Sequence, residues 1–297
     1  MNLKAVLSFA TFLFCVLPCT LRAQVGGPYP VDPDSIVKVG VPQGVTTKMP
    51  NFKSKIFADT DREWWVYVPA QYTPDKPACV MVFQDGSGYR GSVPQVFDNL
   101  IAEKAMPITI GVFINPGNLL PGGKPQGNNQ RSYEYDTLSD RYSRFLLEEI
   151  LPEVESSKAK LRKDAASRAV AGLSSGGICA FTVAWEKPNE FSKVLSWIGS
   201  YTDLAGGKSG IEGGHNYPSM IRRLEPKPIR VFLQDGDHDL DNQFGNWPLA
   251  NQEMAKALEF KKYDFKFVFG HGDHNPAHGR SIMGESLRWL WREYKTE

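Results

Sequence analysis

Ser174 stands in the string Gly172-Leu173-Ser174-Ser175-Gly176, directly after the apolar run Ala169-Val170-Ala171. Small residues two before and two after a serine let a strand turn sharply into a helix without collision, which exposes the hydroxyl at the top of a sheet. A hydroxyl held there can attack an acyl carbon once a base removes its proton. The helix that follows aims its first N–H groups at the same spot, where they suit the negative charge of a tetrahedral intermediate. Gly and Ser are common, so the string alone is weak. Its place between a strand pattern and an apolar helix pattern gives it weight against the plainer reading of a Ser/Gly turn.

Such a serine needs a base, and the base needs an orienting acid, in the chain order Ser, Asp or Glu, His. One strand pattern ends in Asp235-Gly236-Asp237-His238-Asp239-Leu240-Asp241, and a later one in Gly270-His271-Gly272-Asp273-His274-Asn275-Pro276-Ala277-His278. Both segments follow the serine in the required order. Asp239, three residues after a Gly, is the preferred acid and Asp237 the second choice. The other aspartates read as loop solvation and turn hydrogen bonding. His274, after a Gly-containing turn and before the last helix, is the preferred base over His278. His271 and His238 rank lower, and His215 precedes the acid loop.

The same residues admit a metal reading that the spacing disfavours. The alternating aspartates from Asp235 resemble a calcium loop, but position six is Leu240 and position twelve is Asn246. His271, His274 and His278 lack the HExxH pattern of zinc hydrolases. No metal and no cofactor is expected. For the oxyanion hole, one N–H is expected from Ser175 and a second from Ser87 in Asp85-Gly86-Ser87-Gly88-Tyr89. Trp247, in Gly245-Asn246-Trp247-Pro248, is a candidate platform for a sugar or aromatic acyl group; a core residue at a helix start is the competing reading.

These residues require a scaffold of strands and helices. Strands are expected at 44–57, 63–68, 79–84, 108–114, 168–171, 193–198, 229–234 and 265–269, most of them rich in Val, Ile and Phe as in sheets buried on both faces. Helices are expected at 96–104, 140–154, 176–186, 249–260 and 281–294. The alternation implies an α/β three-layer sandwich, a mostly parallel central sheet with helices on both faces and an antiparallel start. Two Gly-rich segments, 115–129 and 202–217, follow strand ends, where ligands bind in open α/β sheets.

Within 297 residues, 41% hydrophobic, one large core fits. Lys4, the apolar run from Ala5 to Leu17 and Ala23 make residues 1–23 a signal peptide, too short in its apolar part for a membrane span. Pro18 before Cys19 fits a lipoprotein anchor poorly. Residues 24–43 read as an extended arm, and 44–297 as the folded domain. Loss of residues 1–23 removes Lys4 and Arg22 and no acid, so the net charge goes from +1 to −1. That balance argues against a nucleic-acid partner, and no stable membrane insertion is expected after signal removal. Cys79 and Cys179 remain, read as buried thiols, with a disulfide open to an exported chain.

The pattern resembles the esterase D-type branch of α/β hydrolases, which includes enterochelin (siderophore) esterases, feruloyl and acetylxylan esterases and mycolyltransferases. The resemblance covers about residues 44–294. It rests on Arg62-Glu63-Trp64-Trp65-Val66-Tyr67-Val68-Pro69, Phe83-Gln84-Asp85-Gly86, Arg131-Ser132-Tyr133-Glu134-Tyr135-Asp136, Gly172-Leu173-Ser174-Ser175-Gly176-Gly177 and Gly236-Asp237-His238-Asp239. It implies an α/β-hydrolase fold and Ser174, Asp239 and His274 as triad. Arg131 and Glu134 match an R-x-x-E segment, expected to serve as a structural ion pair. Asp85-Gly86 replaces the His-Gly of many carbohydrate esterases and is closer to the enterochelin-esterase subgroup. The expected function is exported serine ester hydrolysis through an acyl-enzyme, on carbohydrate-linked acetyl or feruloyl esters or siderophore-type esters. An acyltransferase with the same triad and a non-catalytic carbohydrate-binding protein are the alternatives.

Overall fold

The structure, a computed structural model, describes residues 29–124, 129–205 and 213–295. The expected signal peptide lies outside these residues. Eight strands form the main sheet: β1 (Val45–Lys48), β2 (Trp64–Val68), β3 (Cys79–Gln84), β4 (Thr109–Ile114), β5 (Arg168–Leu173), β6 (Lys193–Trp197), β7 (Arg230–Gly236) and β8 (Asp264–Gly270). Their spatial order is β1-β2-β4-β3-β5-β6-β7-β8. β1 pairs antiparallel with β2, β2 antiparallel with β4, and every later pair is parallel. The strand expected at 44–57 stops after Lys48, and Phe52–Lys53 joins Thr60–Arg62 and Asn118–Leu119 in a separate small sheet. Pro50 between the two pieces cannot donate to a ladder.

The helices are α1 (Val93–Ala102), α2 (Gln130–Tyr135), α3 (Arg141–Arg144, Phe145–Ile150 and Leu151–Ser157 in succession), α4 (Ser175–Glu186), α5 (Tyr217–Arg223), α6 (Trp247–Phe260), α7 (Ala277–Ser281) and α8 (Met283–Trp291). The middle part of α3 is wound as a π-helix. Pro152 has no N–H for the carbonyl four residues earlier, and one wider turn absorbs the mismatch.

Each face of the sheet carries its own core. Tyr142, Phe145, Ile178, Phe181, Trp185, Ile221, Met254 and Leu258, from α3 to α6, pack on one face. Val96, Phe97, Leu100, Leu287, Leu290 and Trp291, from α1 and α8, pack on the other. That is the three-layer sandwich expected from the alternation. Each fully buried aliphatic or Phe side chain contributes about 1.5–3 kcal/mol, so both helical layers are held to the sheet strongly. Cys79 and Cys179 are buried, unbridged, and belong to opposite faces.

The described part of the N-terminal arm is docked. Asn99 Nδ2 donates to the carbonyls of Asp34 and Ile36, each at 2.8 Å, and Gly284 N–H donates to Asp32 at 2.6 Å. Arg288 pairs with Asp34 and with Glu103.

Candidate active site

β5 ends in the turn that presents Ser174. The serine has φ 56° and ψ −125°, a left-handed backbone rarely adopted by a side-chain-bearing residue. Gly172 makes that turn possible, because a Cβ on it would lie 2.2 Å from the carbonyl oxygen of Gly176. Ser174 N–H donates to the Trp197 carbonyl on β6, and Ser200 N–H donates to the Ser174 carbonyl, so neighbouring strand ends hold the strained residue.

Two further strand ends converge on the hydroxyl. Ser174 Oγ lies 2.9 Å from His274 Nε2, and His274 Nδ1 lies 2.5 Å from Asp239 Oδ1. The Asp239 carboxyl is fully buried, and its Oδ1 also accepts from Leu240 N–H. His274 is half-buried. Of the four aspartates and five histidines weighed from the sequence, His274 contacts the serine and Asp239 contacts His274.

The competing candidates are held elsewhere. His278 stacks on Tyr29, ring centroids 4.4 Å apart, and its Nδ1 meets Gln234 Nε2 at 3.2 Å. Burial lowers its pKa and keeps it neutral. Asp237 accepts from His271 and His238 at 2.8 and 2.7 Å, and these bonds hold its carboxyl down to about 2. Among the described residues, these three are the side chains whose metal-ligating atoms gather, within 4.8 Å, and all are exposed and already satisfy one another. The calcium-like aspartates and the His271, His274, His278 set do not converge. His215 pairs with Asp203.

Of the substrate-side expectations, the Trp247 platform is corrected and the Ser87 N–H has a partner at rest. Trp247 is 2% exposed and starts α6, so it is the core residue and not an open platform. Its ring stands edge-on to His274, centroids 5.9 Å apart, and its Nε1–H donates to Ser200 Oγ at 3.1 Å. Ser87 N–H is engaged with Asn115 Oδ1 at 3.0 Å, so it reaches an oxyanion only after leaving Asn115. Ser175 is the first residue of α4, where backbone N–H groups have no partner within the helix.

Arg131 and Glu134 do not pair with each other. Arg131 forks onto Asp85 at 2.9 and 2.7 Å, and Asp85 lies over the first turn of α4, its Oδ2 3.0 Å from where a Gly176 Cβ would be. Glu134 binds Arg62 at 2.6 and 3.1 Å, both side chains at 0% exposure. The pattern is two separate ion pairs because the partners come from β-segments 46 and 72 residues earlier.

Ser200 escaped the sequence reading. Its Oγ is 3.2 Å from Ser174 Oγ and fully buried. The signal was present: it lies just past the end of the strand beside the one that ends at Ser174, where a parallel sheet gathers functional groups.

The family model "Putative esterase" matches residues 54–204 of the chain. The chain belongs to this esterase family. It is a carboxylic ester hydrolase. A protein of Bacillus subtilis (strain 168), YjcH, is 20% identical over 230 residues, 75% of this chain and 88% of its own length. The enterobactin esterase FES from Shigella flexneri superposes with TM-score 0.65 and 21% identity, over 89% of this chain. The chain spans 63% of that enzyme's length. The CE1 ferulic acid esterase AmCE1/Fae1A from Anaeromyces mucronatus, in complex with ferulic acid, gives TM-score 0.68 and 17% identity, over 91% of this chain and 98% of its own. These likenesses show the α/β-hydrolase-like fold.

Proposed function

We propose that this esterase is exported and works through a serine acyl-enzyme, on carbohydrate-linked acetyl or feruloyl esters or on siderophore-type esters. The observation that carries the reading is the continuous contact Ser174–His274–Asp239 at 2.9 and 2.5 Å, built from three different strand ends. His274 Nε2 takes the hydroxyl proton as Ser174 Oγ forms a bond to the ester carbon. Asp239 fixes the His274 tautomer with Nδ1–H towards itself and stabilises the cation that forms. Ser175 N–H, and Ser87 N–H once released from Asn115, hold the oxyanion. The C–O bond to the alcohol then breaks, with His274 returning the proton to the leaving oxygen. Water deprotonated by His274 attacks the acyl-enzyme and releases the acid and free Ser174. No cofactor enters these steps.

Ser200 belongs to this arrangement through its contact with the reacting oxygen. The indole N–H can only donate, so Ser200 Oγ accepts from Trp247 and has its own hydrogen available for Ser174 Oγ. The structural neighbours, an enterobactin esterase and a ferulic acid esterase, support these two substrate classes. Export rests on the leader pattern of residues 1–23.

The test is a panel of acetyl, feruloyl and catecholate-siderophore esters with Ser174→Ala alongside. The reading expects the variant to lose turnover on every accepted ester and to stop labelling by a serine-directed phosphonate. A variant at full rate refutes the mechanism. Acyl transfer to added alcohols or sugars in preference to water would turn the hydrolase into an acyltransferase.

A further inference from the structure

Behind His274 the Asp239 carboxylate meets a second buried acid, Asp235. Asp235, near the end of β7, has no exposed surface, and the Asp239 carboxyl has none either. Asp235 Oδ1 accepts from Gly236 N–H at 2.8 Å, and Asp239 Oδ1 accepts from Leu240 N–H and His274 Nδ1, each at 2.5 Å. Three acceptor oxygens around them, Asp235 Oδ2, Asp239 Oδ2 and Asn251 Oδ1, are buried with no donor. Asn251 cannot supply one by turning its amide, since its Nδ2 holds the carbonyls of Gly199 and Trp247 at 2.9 and 3.1 Å. Buried acceptors left unpaired are costly, and two ionised carboxylates buried against each other more so. A proton on one of the acids resolves both.

We propose that Asp235 is a neutral acid at physiological pH and donates its proton as a hydrogen bond to Asp239 Oδ2, making it a positioning residue of the site. The inference rests on Asp239 being the acid of the proposed triad. The proton belongs on Asp235 because Asp239 Oδ1 accepts from two donors at 2.5 Å, one of them the imidazole that becomes a cation, whereas Asp235 has one backbone amide and, as its smallest influence, the Asn251 side chain. Burial, and then the hydrogen bond and charge of Asp239, push the Asp235 carboxyl up to about 9.

The surroundings offer no cation to reverse this. Phe269 of β8 stands beside Asp235 in register, and Trp197 of β6 stands beside Gln234. From α6 comes the neutral Asn251, while Lys256 pairs with Glu259. On α8, Glu285 pairs with Lys266 and Arg288 with Asp34 and Glu103. The charge facing Asp235 is that of Asp239.

A donated proton on Oδ2 holds the Asp239 rotamer with Oδ1 against His274. When Asp235 ionises, two negative charges are buried against each other, the donor is lost and the imidazole is released from its tautomer. Asp235→Asn keeps a donor in the same place and cannot ionise; Asp235→Ala removes it.

The experiment measures kcat/KM for p-nitrophenyl acetate on the full chain from about pH 6 to about pH 10 with buffer hydrolysis subtracted, for wild type, both variants and Ser174→Ala. At neutral pH we expect Asp235→Asn within about threefold of wild type and Asp235→Ala down about tenfold or more, mostly in kcat. We expect a loss of activity above about 9 in wild type that is absent from Asp235→Asn. If Asp235→Ala does not fold, as judged by circular dichroism, the wild-type and Asp235→Asn profiles decide alone. The proposal is overturned by a folded Asp235→Asn that is inactive, by Asp235→Ala at the wild-type rate, or by the same alkaline limb in wild type and Asp235→Asn. Full activity in Ser174→Ala would instead remove the triad reading beneath it.

Discussion

Ser200→Ala deletes one oxygen that two partners share, and the effects on chemistry and on folding separate. Trp247 Nε1–H gives its hydrogen to Ser200 Oγ at 3.1 Å, which leaves the Ser200 hydrogen for Ser174 Oγ, 3.2 Å away. Ser174 gives its own hydrogen to His274 Nε2. In the resting enzyme the Ser200–Ser174 bond joins neutral groups and is worth about 0.5–1.5 kcal/mol, whereas on a developing alkoxide it is worth about 1.5–3 kcal/mol. Only the difference, about 1–1.5 kcal/mol, lowers the barrier, which corresponds to about a tenfold loss in kcat/KM. The buried indole N–H, left without an acceptor, costs folding stability about 1–3 kcal/mol as well. Steady-state hydrolysis of p-nitrophenyl acetate reads the first effect and urea denaturation the second. Trp247→Phe removes the indole donor and leaves the Ser200 hydroxyl, so it should lose less activity than Ser200→Ala. A Ser200→Ala protein that is destabilised yet keeps kcat/KM within about twofold would refute the reasoning and make Ser200 a structural residue.

Three other outcomes follow from the same contacts. His274→Ala should lower kcat about a thousandfold or more, whereas His278→Ala, which removes a ring stacked on Tyr29, should stay within about tenfold of wild type; single-turnover ester hydrolysis distinguishes them. Glu134→Ala strands the fully buried Arg62 guanidinium and should cost about 3–5 kcal/mol, read as a lower urea midpoint. Burial lowers Lys193 to about 8, below the unfolded value of about 10.4. Its charge therefore opposes folding fully below pH 8 and ceases to do so by about 10.4. Relative to Lys193→Met, the melting temperature of wild type should rise across that window and be flat below it.

What the sequence made legible is what local pattern controls. Cys79–Phe83 is an unbroken apolar run, and Cys79–Gln84 is a central strand. The glycines around Ser174 report a turn whose close approach is written in residue size. The two short Asp- and His-rich segments follow strand ends, and parallel pairing of β6, β7 and β8 carries them to one edge of the sheet. Where an outcome depended on a distant partner, pattern was silent. The short α2 carries Arg131 and Glu134, and nothing in their spacing announces that one is drawn to Asp85 and the other to Arg62. Trp247 could be read as a substrate platform or as a helix-start core residue, and α6 turns it into the core behind His274.

The choice among Asp235, Asp237 and Asp239 shows the limit most sharply, because the three are chemically identical and two residues apart. Their environments separate them. Asp237 faces solvent and two imidazoles, and is held ionised. Asp235 has burial, one amide and a like-charged neighbour, which favour the neutral acid. Asp239 Oδ1 takes both a backbone N–H and His274 Nδ1. The strand ends at Gly236 and the chain turns at once, so Asp235 stays in the sheet while Asp237 and Asp239 are carried to different surroundings. One stretch of chain can therefore supply a solvated ion pair, a buried proton donor and a charged partner for a base. The second of these cannot be read from spacing at all, since the need for a proton arises only when every donor around the two buried carboxyls has been assigned.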